Sequence, residues 1–153
     1  MKIADILTED MVIAELHASG KSEALDEMTT VLAAAHPEID RQRLRQVLEE
    51  REKLGSTGIG GGIAIPHGKL PGLSHVLAVF GRSPRGVDFD AVDGAPTRLL
   101  FLLVAPEDSS GMHLKALARI SRLLKEQSVR ERLLACGDRS GLLRIIREAE
   151  SKY

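Results

Sequence analysis

A histidine in an unusual setting is the first candidate for chemistry in this sequence. His67 stands in the segment Ile65-Pro66-His67-Gly68-Lys69, directly after a run of glycines. Pro66 has no backbone N–H and Gly68 has no side chain, so the imidazole can stand at a surface with little crowding. A neutral imidazole nitrogen is a nucleophile, provided that a hydrogen bond to the other nitrogen fixes the tautomer. The ordinary alternative is a loop histidine without a role.

Two other residues favour the chemical interpretation. Leu44, Leu48 and Arg51 follow helical spacing, which directs the arginine toward the core side just before the glycine-rich loop. His113 begins an apolar stripe near the start of another helix, where free backbone N–H groups attract anions. The alternatives are an arginine that extends along apolar surface to water and a histidine packed in the core.

Together these residues suit phosphoryl transfer to a histidine. The transferring group carries its charge on three equatorial oxygens, so catalysis requires positioning and hydrogen-bond donors. No metal and no cofactor is needed by such a scheme. The candidate groups are His67 as acceptor, the side chains of Arg51 and His113, the hydroxyls of Ser56 and Thr57, and the backbone at Gly58 and Gly68.

The known phosphate-binding loops do not fit the glycine-rich segment. A dinucleotide fingerprint fails because Ile63 stands at the third glycine position after Gly58 and Gly60, and Pro66 prevents a following helix. A P-loop fails because Glu15 stands where its first glycine belongs. The sequence also lacks H-E-x-x-H, paired C-x-x-C and G-x-S-x-G motifs, so we expect neither a metal site nor a serine hydrolase.

Helices are predicted on both sides of this segment. An apolar stripe after Gly20 predicts a helix capped by Ser22, which Pro37 ends just after His36. Asp40 caps a second helix that runs to about residue 54. The C-terminal third is predicted to form three more helices, Met112–Glu126, Ser128–Ala135 and Arg139–Ala149, the last capped by Asp138.

Strands are predicted between the two groups of helices. The apolar runs Val76–Phe80 and Leu99–Ala105 do not alternate, which is typical of strands covered on both faces. Residues 83–96 are expected to form a loop. Ile59, Ile63 and Ile65 have strand spacing and are expected to share a face. We therefore predict an α/β fold, a single-domain sandwich with a small mixed central sheet flanked by helices.

Composition excludes several classes of function. The 153 residues carry 21 Lys and Arg against 22 Asp and Glu, a net charge of −1, which argues against nucleic acid as a partner. The longest apolar run, residues 99–105, is too short to insert in a membrane. Acidic residues interrupt any signal peptide at the N-terminus, and the lone Cys136 fits a reducing compartment. We expect a cytoplasmic single domain.

Residues 51–69, REKLGSTGIGGGIAIPHGK, closely resemble the active-site segment of the enzyme IIA proteins of the phosphotransferase system, in the fructose/mannitol superfamily. Within that superfamily, this segment is most similar to the nitrogen-regulatory branch. The stretch HLKALARISRLL from residue 113 matches as well. The resemblance extends over nearly the whole chain, from about Ile6 to Ile146, and implies one domain over residues 1–153 with its core in that range.

The resemblance implies a function and partners. His67 would be the phosphorylated residue, with His113 beside it and Arg51 holding the phosphoryl group. The donor would be an HPr-like phosphocarrier, fed from phosphoenolpyruvate by an enzyme I. In the nitrogen-regulatory branch, the phosphorylation state controls binding to targets such as potassium-transport components and sensor kinases.

Two alternatives stay open at this point. A sugar-type IIA component would use the same chemistry but pass the phosphoryl group to a IIB partner for fructose- or mannitol-like uptake. A protein-interaction module would keep the fold without being phosphorylated. The second alternative predicts a defective site, whereas His67, His113 and Arg51 are all present.

Overall fold

The two predicted apolar runs form the longest strands of a mixed sheet. The computed structural model describes residues 2–152. The strands are β1 (Val12–Ile13), β2 (Gly58–Gly60), β3 (Ile63–Ala64), β4 (His67–Leu70), β5 (Leu77–Val87) and β6 (Thr97–Pro106). The helices are α1 (Ile3–Ile6), α2 (Lys21–Ala35), α3 (Arg41–Lys53), α4 (Ser110–Lys125), α5 (Gln127–Ala135) and α6 (Arg139–Glu150), with a 3-10 turn at Glu9–Met11.

The sheet is built around the antiparallel pair of β5 and β6. The strand order is β1-β5-β6-β3-β2, and β4 also pairs with β6. Because β3 and β4 both lie parallel to β6, in the same register, they form one edge that is interrupted at Ile65 and Pro66. The Pro66 carbonyl still accepts a hydrogen bond from Leu103 N at 2.9 Å. His67 therefore lies on a strand that is hydrogen-bonded to the centre of the sheet.

Helices cover the sheet, as the α/β prediction requires. Helices α2 and α3 pack on each other and against β5 and β4, while α4, α5 and α6 pack against β6, β5 and β1. Residues 99–105 are buried without exception, which explains why this strand has no polar alternation. The fold prediction is confirmed.

The start of α2 differs from the prediction. Gly20, and not Ser22, is the N-cap residue, since its backbone is extended and its carbonyl accepts the Ala24 N–H at 2.9 Å. Ser22 lies inside the first turn, where its hydroxyl accepts a hydrogen bond from Arg45. The start of α3 follows the prediction, because the Asp40 side chain accepts the Arg43 N–H at 3.1 Å.

Two predictions about strands are wrong. Strand β5 continues through Val87, into the predicted loop, and it accommodates Pro84 and Gly86 by an irregularity in its pairing with β6. Ile59 is 40% exposed, whereas Ile63 and Ile65 are buried. The reason is that Ile59 lies on β2, across a turn from the other two.

That turn explains part of the glycine run. Gly60, Gly61 and Gly62 have φ angles of 94°, 66° and 79°, a region that residues with a side chain rarely adopt. The three glycines reverse the chain between β2 and β3. They therefore shape the backbone that leads into the His67 segment.

The two ends of the described chain are joined by a buried carboxylate. Glu150, 4% exposed at the end of α6, accepts hydrogen bonds from the backbone N–H groups of Ile3 and Ala4. Arg119 lies 3.6 Å from the same carboxylate. These contacts hold α1 on α6. Within residues 2–152, no helix has the length and apolar character to cross a membrane.

Candidate functional site

The interruption of the β3–β4 edge holds His67 in one tautomer. His67 Nδ1 lies 2.8 Å from the carbonyl oxygen of Ile65. A carbonyl can only accept a hydrogen bond, so Nδ1 carries the proton and Nε2 keeps its lone pair. The neutral ring is thus arranged with Nε2 as its nucleophilic nitrogen.

Arg51 faces this nucleophilic nitrogen from the last turn of α3. Its Nε donates a hydrogen bond to His67 Nε2 at 3.4 Å, and its Nη1 donates to the Gly55 carbonyl at 2.9 Å. The guanidinium therefore bridges the helix end and the imidazole. A planar group with several donors can hold both contacts at once.

His113 is the second imidazole at the site. It lies in the first turn of α4, and its ring centroid is 5.3 Å from that of His67 with the ring planes at 67°. The residue is only 6% exposed, and its Nδ1 has no hydrogen-bond partner among the described residues. The three residues singled out from the sequence, His67, His113 and Arg51, are thus brought together.

Both imidazoles are neutral at neutral pH. Burial lowers the pKa of His67, and the positive charge of Arg51 lowers it further, against the opposite effects of the Ile65 carbonyl and Glu52. Burial lowers the pKa of His113 to about 4, and nearby His67 and Lys69 contribute to this shift. A neutral acceptor keeps the lone pair that a nucleophile needs.

The hydroxyls of Ser56 and Thr57 form hydrogen bonds within the loop and with Phe89 and Glu52. Ser56 Oγ donates to the Phe89 carbonyl at 2.8 Å and accepts the Gly58 N–H at 3.0 Å. Thr57 donates from both its N–H and its hydroxyl to the carboxylate of Glu52. These groups and the Gly58 N–H are therefore not directed at His67, and their contact with a phosphoryl group stays a prediction.

Gly68 lets β4 approach α3 closely. A Cβ atom at this position would lie 2.6 Å from Val47 Cγ1, far inside van der Waals contact. Glycine at position 68 therefore allows close packing of β4 on α3, in addition to the predicted reduction of crowding around His67. The role of Gly68 in binding a phosphoryl group also stays a prediction.

Sequence reasoning missed the charged residues that support the loop. Glu52 is next to Arg51 in the chain, yet its side chain is only 5% exposed and pairs with Lys21 Nζ at 2.9 Å. Lys69, two residues after His67, donates to Ser110 Oγ at 2.7 Å at the start of α4. The positions of Glu52 next to Arg51 and of Lys69 near His67 could have drawn attention to them. Their partners, however, are distant in the sequence, and no residue spacing indicates them.

Side chains of metal-ligating types do not cluster in the described part of the chain. Residues 2–152 contain no group of three or more His, Cys, Asp or Glu side chains that could hold a metal ion. The arrangement at His67 can instead attack a phosphorus atom with Nε2 and surround the transferred group with donors.

Comparison with known proteins gives the same family. Residues 5–149 match the model of the phosphoenolpyruvate-dependent sugar phosphotransferase system, EIIA 2. The chain is 42% identical to a nitrogen regulatory protein of Bradyrhizobium diazoefficiens over 95% of both chains. It is 38% identical to a fructose-specific EIIABC component of Bacillus subtilis, over 97% of this chain and 23% of that protein.

A solved structure agrees with this result. The nitrogen regulatory protein IIA-Ntr from Neisseria meningitidis superposes with a TM-score of 0.88 at 32% identity, covering 94% of this chain and 98% of that one. The chain therefore belongs to the EIIA type 2 family of the phosphotransferase system, whose members are phosphoryl-transfer components.

Proposed function

We propose that this protein is a regulatory phosphocarrier of the cytoplasm. His67 accepts a phosphoryl group from an HPr-like protein, which receives it ultimately from phosphoenolpyruvate. The phosphorylation state then governs binding to targets related to nitrogen, carbon and potassium status, such as potassium-transport components and a sensor kinase. The observation that carries the proposal is the His67 ring, with Nδ1 bonded to the Ile65 carbonyl and Nε2 facing Arg51.

The transfer proceeds at His67 Nε2. Its lone pair forms a bond to phosphorus while the P–N bond to the donor histidine breaks, and that bond's electron pair leaves with the donor nitrogen. The His67 Nδ1 proton stays hydrogen-bonded to Ile65 throughout, so the acceptor needs no base. The Arg51 guanidinium exchanges its contact with Nε2 for contacts with the phosphoryl oxygens, where charge develops.

The remaining predicted residues have distinct parts in this proposal. His113, neutral and buried beside the acceptor, offers an N–H to a phosphoryl oxygen without adding charge to the resting site. The N–H groups at Gly58 and Gly68 and the hydroxyls of Ser56 and Thr57 are predicted to approach the bound group. For Ser56, Thr57 and Gly58, this approach requires their present hydrogen bonds within the loop to be exchanged.

The surface around His67 is suited to partner recognition. Leu54, at the end of α3 near Arg51, is 85% exposed, and Met112 and Leu114, on either side of His113, are 42% and 66% exposed. We call these three residues the apolar rim. A phosphoryl group adds about −1.5 to −2 charges beside this rim, so that partners can distinguish the two states.

The first experiment is phosphorylation in a reconstituted system. The protein is incubated with phosphoenolpyruvate, an enzyme I and an HPr-type carrier, and its intact mass is measured. We expect a gain of about 80 Da, the mass of one phosphoryl group, for the wild type and none for His67→Ala. His113→Ala should still accept the group, but more slowly. An unmodified wild type with each of several donors would contradict the proposal and favour a non-phosphorylated interaction module.

A second experiment tests regulation against sugar transport. The sugar-type alternative has support from the 38% identity with a fructose-specific EIIABC component. If the phosphorylated protein is mixed with IIB domains, we expect it to retain its phosphoryl group under the regulatory proposal. Rapid transfer to a IIB domain would favour the transport role. For regulation, His67→Asp and His67→Ala should differ in their affinity for a target, and equal affinities would contradict the switch.

A further inference from the structure

An ion pair between a buried carboxylate and a partly buried ammonium group supports the loop that carries the site. Glu52, on α3, and Lys21, the first residue of α2, have side chains that are 5% and 19% exposed, with 2.9 Å between Glu52 Oε1 and Lys21 Nζ. We call these residues the Lys21–Glu52 pair. A buried charge costs free energy unless it is paired and hydrogen-bonded. The hydrogen-bond partners of these two residues therefore show which part of the structure they support.

The carboxylate of the pair holds Thr57. Glu52 accepts the Thr57 backbone N–H at 3.1 Å with Oε1 and the Thr57 hydroxyl with Oε2. Hydrogen bonds to a charged acceptor are about twice as strong as those between neutral groups. The backbone of the loop is therefore fixed at Thr57 by one side chain of α3.

The ammonium group of the pair is held on several sides. Besides Glu52, Lys21 Nζ lies 3.5 Å from Ser56 Oγ and 3.5 Å from Asp90 Oδ2, and 5.0 Å from the centroid of the Phe89 ring. These contacts come from two segments of the chain, residues 52–56 and residues 89–90. Lys21 thus holds the Glu52 carboxylate in place beside the loop.

Thr57 links this pair to the acceptor histidine. Its carbonyl accepts the Ile65 N–H at 3.0 Å, and the Ile65 carbonyl accepts the His67 Nδ1 proton at 2.8 Å. A continuous set of hydrogen bonds therefore runs from Lys21 through Glu52, Thr57 and Ile65 to His67. The same helix turn presents Arg51 to the other ring nitrogen.

We propose that the Lys21–Glu52 pair is the positioning unit of the phosphoryl acceptor, which fixes the tautomer of His67 through Thr57 and Ile65. The inference rests on the proposed function and adds two residues that do not contact the phosphoryl group. If Glu52 loses its charge, Thr57 is held less firmly, the Ile65 carbonyl moves, and the proton of His67 distributes between both ring nitrogens. Only the fraction with a free Nε2 facing Arg51 can then react.

The test compares Glu52→Gln with a matched control, Glu49→Gln. Glu49 lies on the same helix and pairs with Arg45 at 2.9 Å, so the control also removes one paired charge. The ring nitrogens of His67 are observed by NMR with ¹⁵N-labelled histidine, and the rate of phosphoryl gain is measured with phosphoenolpyruvate, enzyme I and HPr. We expect the wild type and the control to show protonated Nδ1 and equal rates.

For Glu52→Gln we expect a mixture of the two tautomers and a rate lower by about tenfold or more, because small misplacements of reacting groups have effects of this size. Lys21→Gln should show the same two changes. The double variant should be no slower than the slower single variant, since both residues act as one unit. Wild-type tautomer and rate in Glu52→Gln would overturn the proposal.

The inference can still be tested if Glu52→Gln does not fold or if the wild type is not phosphorylated. If Glu52→Gln does not fold, Thr57→Val carries the test, because it removes the hydroxyl bond to Glu52 while the backbone bonds stay. It should then show a part of the same tautomer change, and an unaltered tautomer would overturn the inference. If the wild type is not phosphorylated, the proposed function fails, whereas the tautomer comparison still decides whether the pair positions His67.

Discussion

At the scale of single residues, the proposed chemistry depends on Arg51 and His67. Arg51 contacts His67 Nε2 and the Gly55 carbonyl with different nitrogens of one planar group. An ammonium group has no such fixed fork, so a lysine cannot reproduce both directions. The resting site therefore depends on the shape of the arginine as well as on its charge.

Replacement of Arg51 by Lys should slow phosphoryl transfer strongly. Loss of one preorganised donor to developing charge typically costs about 10²-fold in rate or more, so we expect an effect of that order with an unchanged fold. Rapid-quench measurement of phosphoryl gain gives the rate. Arg41→Lys, at the start of the same helix, is the control and should behave as wild type. An Arg51→Lys rate within twofold of the control would contradict this role.

Phosphorylation of His67 should change the titration of His113. In the unphosphorylated protein the pKa of His113 is about 4 because of burial and its neighbours His67 and Lys69. A phosphoryl dianion on the neighbouring His67 ring favours the charged form of His113, so the pKa should rise by about one pH unit or more. An NMR titration of the His113 ring in both states measures this. An unchanged value would show that the phosphoryl group is not beside His113.

At the scale of elements, the site depends on how closely α3 and β4 approach. Gly68 of β4 lies against Val47 of α3, and Arg51 extends from the next turn of that helix to His67. The separation of strand and helix thus sets the distance between guanidinium and imidazole. Gly68 therefore affects both the packing of α3 on β4 and the geometry of the site.

Gly68→Ala tests this spacing. The new methyl group would lie 2.6 Å from Val47 Cγ1, so the Val47 side chain or the helix that carries it must shift. We expect a loss of about 1–3 kcal/mol in the free energy of unfolding and slower phosphoryl gain. Val47→Ala in the same chain should restore part of both, because it makes room for the methyl group. Denaturant unfolding and mass spectrometry measure the two effects, and a double variant no better than Gly68→Ala would refute the packing explanation.

The elements were largely predictable from sequence, whereas their contacts were not. The Asp40 and Asp138 caps and the unbroken apolar run 99–105 are local signals, and the structure has the corresponding helices and strand. The setting of His67 between proline and glycine was local too. The role of Glu52 was not predicted because it depends on contacts with Lys21 and Thr57. Contacts between residues distant in the sequence produce no periodic pattern.

The whole molecule should respond to acid through His113. Its pKa lies below the ordinary value of 6.5, so the unfolded chain takes up this proton at a higher pH than the folded protein does. The stability that neutral His113 provides is complete above pH 6.5 and is lost as the pH falls toward 4. His67, whose pKa is also lowered, acts in the same direction.

Stability measured at a series of pH values tests this expectation. Between pH 7 and pH 4 the wild type should lose roughly 3 kcal/mol more than His113→Gln, since each pH unit of the shift from 6.5 to about 4 corresponds to about 1.4 kcal/mol per proton. Comparing the two proteins removes the shared contribution of the carboxylates. Parallel curves for both proteins would contradict the prediction.

The apolar rim has a consequence for behaviour at high concentration. A net charge of −1 gives two copies of the unphosphorylated protein little electrostatic repulsion, and the exposed Leu54, Met112 and Leu114 offer them a surface on which to associate. Phosphorylation adds negative charge beside that surface. The second virial coefficient from light scattering should therefore be lower for the unphosphorylated protein, so that the proposed phosphorylation would also govern colloidal solubility.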